Sequence, residues 1–252
     1  MCGRYLIILS PEEMRRLYGY DEVPNFPARY NVAPTQPIPV VRLNNGRREF
    51  ALVRWGLLPP WVKDPAKFTL LINARSETIS EKPAFRNAVR RRRCLLPMDG
   101  FYEWKREGER KTPYVVRPRD GVRMAFAGLW ETWMGPNGEE LETAAIVTTS
   151  ANRTLAPIHD RMPVMLTPDA FEPWLDCVNV DEREASALMR PARDDLLEVY
   201  PVSSAVNRVA NDSPDLLKHM SPDEIEQTVA AKRPAPKRKP AAAPDDQQFS
   251  LF

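Results

Sequence analysis

IPVVRLNNGRREFALVR, residues Ile38–Arg54, holds two strand-like runs, Ile38–Leu43 and Glu49–Arg54, joined through Asn44-Asn45-Gly46. Asn-Gly between alternating apolar residues is a strong short-range hairpin signal, because both residues tolerate the positive φ of a tight turn. Working outward, Ser10 suits the N-cap of a first helix, with Pro11 at its first position, Glu13 closing a capping box and Gly19 ending it. Pro83–Arg93 reads as a polar, basic helix. Cys94–Leu96, Pro113–Arg117, Met124–Trp130 and Ala144–Thr149 read as strands, with turns at Glu107-Gly108 and Pro136-Asn137-Gly138. Helices return at Pro168–Leu175, with Thr167 as cap, and at Asp181–Met189, before a last strand near Leu196–Val202. Strands follow strands without βαβ alternation, so the class is β-rich α+β and the pattern argues against a Rossmann fold.

The 252 residues provide ample apolar content for one large domain, and the formal net charge is only +2. So small a charge does not mark a nucleic-acid binder by itself; local clustering must carry that argument. Three cysteines without CxxC spacing predict neither a disulfide framework nor a zinc site, and no cofactor or metal is expected. No window approaches the roughly 20 apolar residues of a membrane span, and Arg4 with the amphipathic Ser10–Gly19 stretch argues against a signal peptide. A reducing cytoplasm is the expected compartment.

Chemistry concentrates in a few segments. Removal of Met1 would make Cys2 the N-terminus, and Gly3 leaves that terminus sterically open. Its α-amine, with a pKa of about 7.7–8.0, and its thiol, at about 8.5, would both be partly nucleophilic near neutrality. A 1,2-aminothiol captures an aldehyde as an imine and then closes the thiol onto it as a thiazolidine. RYNVAPTQ (Arg29–Gln36), RWGLLPPW (Arg54–Trp61), LINARSET (Leu71–Thr78), MDGFYEW (Met98–Trp104) and ANRTLAPIHDRMP (Ala151–Pro163) combine turn formers with polar and aromatic residues in ways that core strands do not need. Only His159 and His219 offer imidazole for acid-base work at neutral pH. Taken alone, Glu103 also fits a structural salt bridge, His159 a loop histidine and Asn73 a turn-capping amide.

Together with Cys2-Gly3-Arg4, CLLPMDGFYEW and AGLWE, these segments make the chain resemble the SRAP family (SOS response-associated peptidases, or abasic-site processing proteins) over about residues 2–220. The resemblance implies a compact single α+β domain, residues 2–222, with a β-barrel-like centre, flanking helices and a DNA groove leading to the cysteine. It implies a catalytic set of Cys2, Asn73, Glu103 and His159, and the partner it implies is single-stranded DNA containing an abasic site, which presents an open-chain aldehyde. Cys2 would form a covalent thiazolidine crosslink, with lyase and self-processing activities alongside. Asn73 would orient the amine, Glu103 would shuttle protons, and His159 would protonate the sugar oxygen on ring opening.

For DNA, Arg4, Arg75 and Arg161 suit phosphate contacts, and Trp61 and Trp104 suit base stacking. The run Arg90–Arg93 reads as a solvated helix face or a backbone contact, Cys94 as core and Cys177 as incidental. Two other function classes compete: an N-terminal-nucleophile thiol peptidase without a DNA role, and a DNA-binding module without catalysis. A covalent adduct with abasic DNA discriminates against both. Residues 223–246 are basic and rich in Pro and Ala, which predicts a mostly disordered linker. Residues 247–252 then turn hydrophobic, and Gln248, Leu251 and Phe252 resemble the peptide with which bacterial repair proteins dock on the β sliding clamp. A monomer associated with the nucleoid is expected.

Overall fold

The structure is a computed structural model that describes residues 2–119 and 122–231, the side chains of 227–231 excepted. In chain order, β1 (Tyr5–Ile7) leads into α1 (Pro11–Tyr18), followed by β2 (Arg29–Val32), β3 (Pro37–Asn44), β4 (Arg47–Trp55) and β5 (Asn73–Arg75). Then come α2 (Arg86–Arg91), β6 (Arg93–Pro97), β7 (Gly100–Glu107), β8 (Arg110–Pro118), β9 (Ala125–Met134) and β10 (Glu140–Ser150). Short β11 (Arg161–Pro163) and β12 (Met165–Leu166) precede α3 (Phe171–Leu175), α4 (Glu182–Ser186) and β13 (Leu197–Pro201).

The hairpin forms as its sequence dictates. Asn44 pairs with Arg47, leaving Asn45 and Gly46 as a two-residue loop with φ of 49° and 78°. Two positive φ values match the right-handed twist of the flanking strands. β3 and β4 then enter a ring in which β10 pairs with β4, β4 with β3, β3 with β6, β6 with β9, and β9 again with β10. Five strands so joined have no free edge among them, and this closed barrel is the centre of the fold. One face of the ring buries Val40, Val53, Leu96, Phe126 and Ile146, and the register places the buried Leu95 and Leu129 on the other. Gly128 leaves room for a side chain of the adjacent strand, since a Cβ there would lie 2.0 Å from Leu96 Cδ1.

A second sheet, in the order β13-β8-β7-β1-β2, packs its own apolar cluster of Leu6, Tyr102, Val115, Val202, Val206 and Leu216. Capping of α1 is as expected: Ser10 Oγ accepts from Glu13 N–H, Glu13 reaches back to Ser10 N–H, and Gly19 closes the helix at φ 73°. The later helices differ from expectation. Pro168–Leu175 divides into a 3₁₀ turn and α3, and Thr167 makes no side-chain capping bond. Asp181 caps α4, which is shorter than its apolar pattern suggests.

One compact unit runs to Met220 and a second begins at Ser221. In the latter, α5 (Pro222–Ala231) is capped by Ser221, whose N–H donates to Glu224 Oε2 at 2.7 Å. The chain is therefore helical over 223–231, where composition suggested the start of a linker. Residues 232–246 and the peptide carrying Gln248, Leu251 and Phe252 lie outside the described residues. No helix among the described residues is long and apolar enough to cross a membrane.

Candidate active site

Cys2 stands at the mouth of the second sheet, just before β1. The antiparallel register Tyr5↔Phe101 and Leu6↔Gly100 runs Cys2-Gly3-Arg4 alongside Tyr102-Glu103-Trp104, and Tyr102 N–H donates to Arg4 O at 3.0 Å. Gly100 makes this approach possible: a Cβ there would lie 2.9 Å from Val116 O and 3.2 Å from Leu6 Cδ2. Its role is close strand packing. Asp99 fixes the far end of β1 by accepting from Ile8 and Leu9 N–H at 2.6 and 3.0 Å.

Asn73 arrives from the barrel. β5 pairs in parallel with β10, Ile146 opposite Asn73 and Thr148 opposite Arg75. The pleat turns Ala74 into the core and leaves Asn73 and Arg75 on one face. Asn73 Nδ2 donates to Cys2 O at 3.0 Å, while its Oδ1 is buried without a hydrogen-bond partner. Glu103, only 3% exposed, acts on the same cysteine through its charge. Burial drives the fully buried Cys2 thiol far above its ordinary pKa, and the Glu103 carboxylate adds to the rise. The thiol is thus held protonated while Met1 is attached.

His159 lies beyond Arg75. Strand β11 pairs with β10, Ser150 opposite Arg161, and a cleft of about 630 Å³ is lined by Arg75, Glu77, Thr78, His159, Asp160 and Arg161. Arg161 N–H donates to His159 Nδ1 at 2.9 Å. A backbone N–H can only donate, which assigns the ring proton of neutral His159 to Nε2. The Asp160 carboxylate, also 2.9 Å from Nδ1, becomes an ion-pair partner only when the ring is protonated. One face of β5 thus connects the two halves of the site, Asn73 reaching Cys2 and Arg75 opening onto the histidine cleft.

The DNA-facing expectations meet different environments. Arg75 is exposed, and Trp61 is 58% exposed with its ring edge-on to Phe68. Arg161 forms a two-pronged pair with Glu77 and also donates to Thr148 O at 2.8 Å. Arg4 is anchored within the protein, donating to Asn31 Oδ1 and Val206 O at 2.7 Å each and to Asn207 O at 3.2 Å. Trp104 Nε1 donates to Asn207 Oδ1 at 2.8 Å, and Lys111 Nζ lies 5.2 Å from the ring centroid. The arginine run is mostly structural. Arg93 is buried and donates to the carbonyls of Val89, Trp174, Asp176 and Val180, Arg92 pairs with buried Glu131, and Arg90 pairs with Glu182.

Sequence reasoning did not single out Asn207 or see what Asn31 does. The fully buried Asn31 amide sits within 3.2 Å of the carbonyls of Val206, Arg208 and Asn211 while accepting from Arg4. The turn at Val206-Asn207 thereby grips the residue two after Cys2 and the residue one after Glu103. Asn31 was visible within RYNVAPTQ, but its partners lie about 175 residues downstream and leave no local signal.

Among the described residues no cluster of His, Cys, Asp and Glu could hold a metal ion. Residues 1–209 match the family described as SOS response associated peptidase (SRAP). The chain is 40% identical to the abasic site processing protein YoqW of Bacillus subtilis over 222 residues, covering 86% of this chain and 99% of the relative. It is 33% identical to the abasic site processing protein YedK of Escherichia coli over 231 residues, covering 86% and 99%. A crystal structure of a protein from Bacteroides thetaiotaomicron superposes with a TM-score of 0.79 at 27% identity, covering 87% of this chain and all of that one. A shared fold, a match through most of the chain and near-complete coverage of the relatives lead to one conclusion: the chain belongs to the SOS response associated peptidase family.

Proposed function

We propose that this protein processes abasic sites in single-stranded DNA by forming a covalent thiazolidine crosslink through Cys2 once Met1 has been removed. The observation that carries the reading is the Asn73 amide, which holds the Cys2 carbonyl at 3.0 Å and keeps a buried, unpartnered acceptor, Oδ1, on the same group. A buried acceptor without a donor is unfavourable by about 1–3 kcal/mol. An N-terminal amine on Cys2 supplies such a donor. The relatives named as abasic site processing proteins support the same substrate.

The order of steps follows from the chemistry of a 1,2-aminothiol. Once Met1 is removed, Cys2 first uses its amine, which adds to the sugar aldehyde and loses water to give an imine. The carboxylate of Glu103 favours the protonated, cationic form of that imine and shuttles protons through its formation. The new cation lowers the thiol pKa next to it. Sulfur then bonds to the imine carbon, nitrogen keeps its proton, and the thiol proton leaves through Glu103. The product is the ring adduct plus one water. His159 in its imidazolium form, ion-paired with Asp160, would protonate the sugar oxygen on ring opening and, returned to the neutral ring, assist β-elimination, which is the lyase activity of this reading. Removal of Met1 by the protein itself would be the peptidase activity.

Intact mass tests the proposal. The purified protein should lack Met1, and mixing it with an abasic single strand should give a heat-stable species at the summed mass less one water. Turnover of peptides without such an adduct would favour a thiol peptidase. The 247–252 peptide belongs to the same proposal as a docking tether for a bacterial sliding clamp, with Leu251 and Phe252 as apolar anchors and Gln248 at the rim. A peptide of residues 245–252 should bind the clamp in a polarisation assay; no binding at high micromolar concentration rejects the tether.

A further inference from the structure

The face of β7 that carries Glu103 also carries Lys105, two residues and about 7 Å further along the strand. Directly across from Glu103 on β8 is Tyr114. Both Lys105 and Tyr114 line an open groove of about 550 Å³ that Arg119 and the backbone of β13 complete on one side. Thr154, Pro157 and Ile158 close the other side, and Ile158 immediately precedes His159. This groove reaches Ile158 and the cleft of Arg75 and Arg161 reaches His159, so the two meet at consecutive residues of one loop. They share no lining residue.

We infer that the Lys105–Tyr114–Arg119 groove is a second arm of the DNA track, holding the nucleotide that flanks the abasic residue on the side away from Arg75. The inference rests on the abasic-site reading. A strand threaded past Cys2 must leave the site in two directions, and Arg75 accounts for one. The groove has the chemistry of a nucleotide subsite: two cations for a phosphate, an aromatic ring for a base and walls set by a fixed loop. Lys105 is paired with Glu107 at 2.7 Å, but both groups face solvent, and an exposed pair of this kind yields readily to a phosphate. The groove's own carboxylate, Glu198, is turned to Arg117 at 3.4 Å. Asn152 fixes the opposite wall, donating to Ala192 O and accepting from Leu155 N–H, both at 3.0 Å, and Thr154 Oγ1 donates to Asp194 O. The wall is thus preformed.

The test compares the wild-type protein with the double variant Lys105→Gln and Arg119→Gln, and separately with Tyr114→Ala. Each is titrated with three single strands carrying an unreactive tetrahydrofuran residue: one internal, one at the 5′ end and one at the 3′ end. The double variant should bind the internal strand and one terminal strand about tenfold more weakly than wild type. The logarithmic salt slope should shrink by about 0.7, for the one phosphate that the two cations neutralise in a single strand. The other terminal strand, which lacks the flank seated in this groove, should bind both proteins alike. Tyr114→Ala should show the same one-sided loss with its salt slope kept. Equal binding by wild type and the double variant on all three strands overturns the inference, as does an equal loss on both terminal strands. A wild-type protein that forms no heat-stable adduct with a reactive abasic strand defeats the parent reading instead, and the adduct assay distinguishes the two failures.

Discussion

The β3–β4 hairpin and the strands that carry the site follow opposite rules. The hairpin pairs eight residues with eight across a two-residue loop, and its turn chemistry lies inside the segment itself. Strands β1 and β5 have three residues each, and neither would persist alone. Tyr5 finds its partners at Val32 and Phe101, and Asn73 finds its own at Ile146. The frame is therefore coded locally, and the site is assembled from short pieces held by distant ones. Substitutions in the two regions should separate chemistry from stability.

The largest effect is expected at Cys2. Cys2→Ser should abolish the heat-stable adduct entirely, because an oxygen nucleophile leaves at most a reversible imine that borohydride can trap. Its unfolding midpoint should stay within a few degrees of wild type, since the change nearly conserves volume. A heat-stable adduct from the serine variant, or from protein that retains Met1, would sink the thiazolidine mechanism.

Next comes Asn73→Ala, which removes the amide holding the Cys2 carbonyl. Crosslinking at saturating DNA should slow by roughly 10- to 100-fold, the usual penalty for a misplaced reacting group. Binding of a tetrahydrofuran-containing strand should change less than twofold. If affinity and rate fall by the same factor, Asn73 holds DNA and not the nucleophile.

Asn31→Ala probes the non-local assembly itself. The variant leaves the carbonyls of Val206, Arg208 and Asn211 and the Arg4 guanidinium short of a partner in a buried place. A destabilisation of about 2–4 kcal/mol is expected, or roughly 5–15 °C in melting midpoint for a chain of this length. A shift under about 1 kcal/mol would show that the turn at Val206-Asn207 is held by other contacts.

How much of this was legible follows the same division. The capping box at Ser10–Glu13, the Asn45-Gly46 turn and the long strands β8, β9 and β10 carry their own signals, and they fold where those signals lie. Strands β2, β5 and β7 sit inside motif segments that combine turn formers with polar and aromatic residues in ways a core strand does not need. They are strands because their partners make them so: Gly100 admits β1 and β8 to either side of β7, and β10 supplies the ladder for β5. The proposed set of Cys2, Asn73, Glu103 and His159 comes from family resemblance alone, and the structure adds a direct bond between two of its members, Asn73 and Cys2. The engagement of Arg4 and Trp104 with the Val206-Asn207 turn was not legible, because hydrogen bonds across one to two hundred residues leave no trace in local spacing.

The smallest effect is expected at the most legible position. Gly46 sits at φ 78°, and a Cβ added there would meet nothing within 4 Å. Gly46→Ala therefore changes no contact and acts only through the backbone, where a left-handed conformation costs an L-residue about 1 kcal/mol relative to glycine. The barrel should absorb this, because closure through β3–β6 and β4–β10 pins both hairpin strands on their far edges. Unfolding free energy should fall by about 1 kcal/mol, and the rate of crosslinking at saturating abasic DNA should match wild type. A loss above about 3 kcal/mol would mean that the turn is coupled to the barrel's closure. A parallel fall in crosslinking would mean that the locally coded frame and the non-locally assembled site are one cooperative unit.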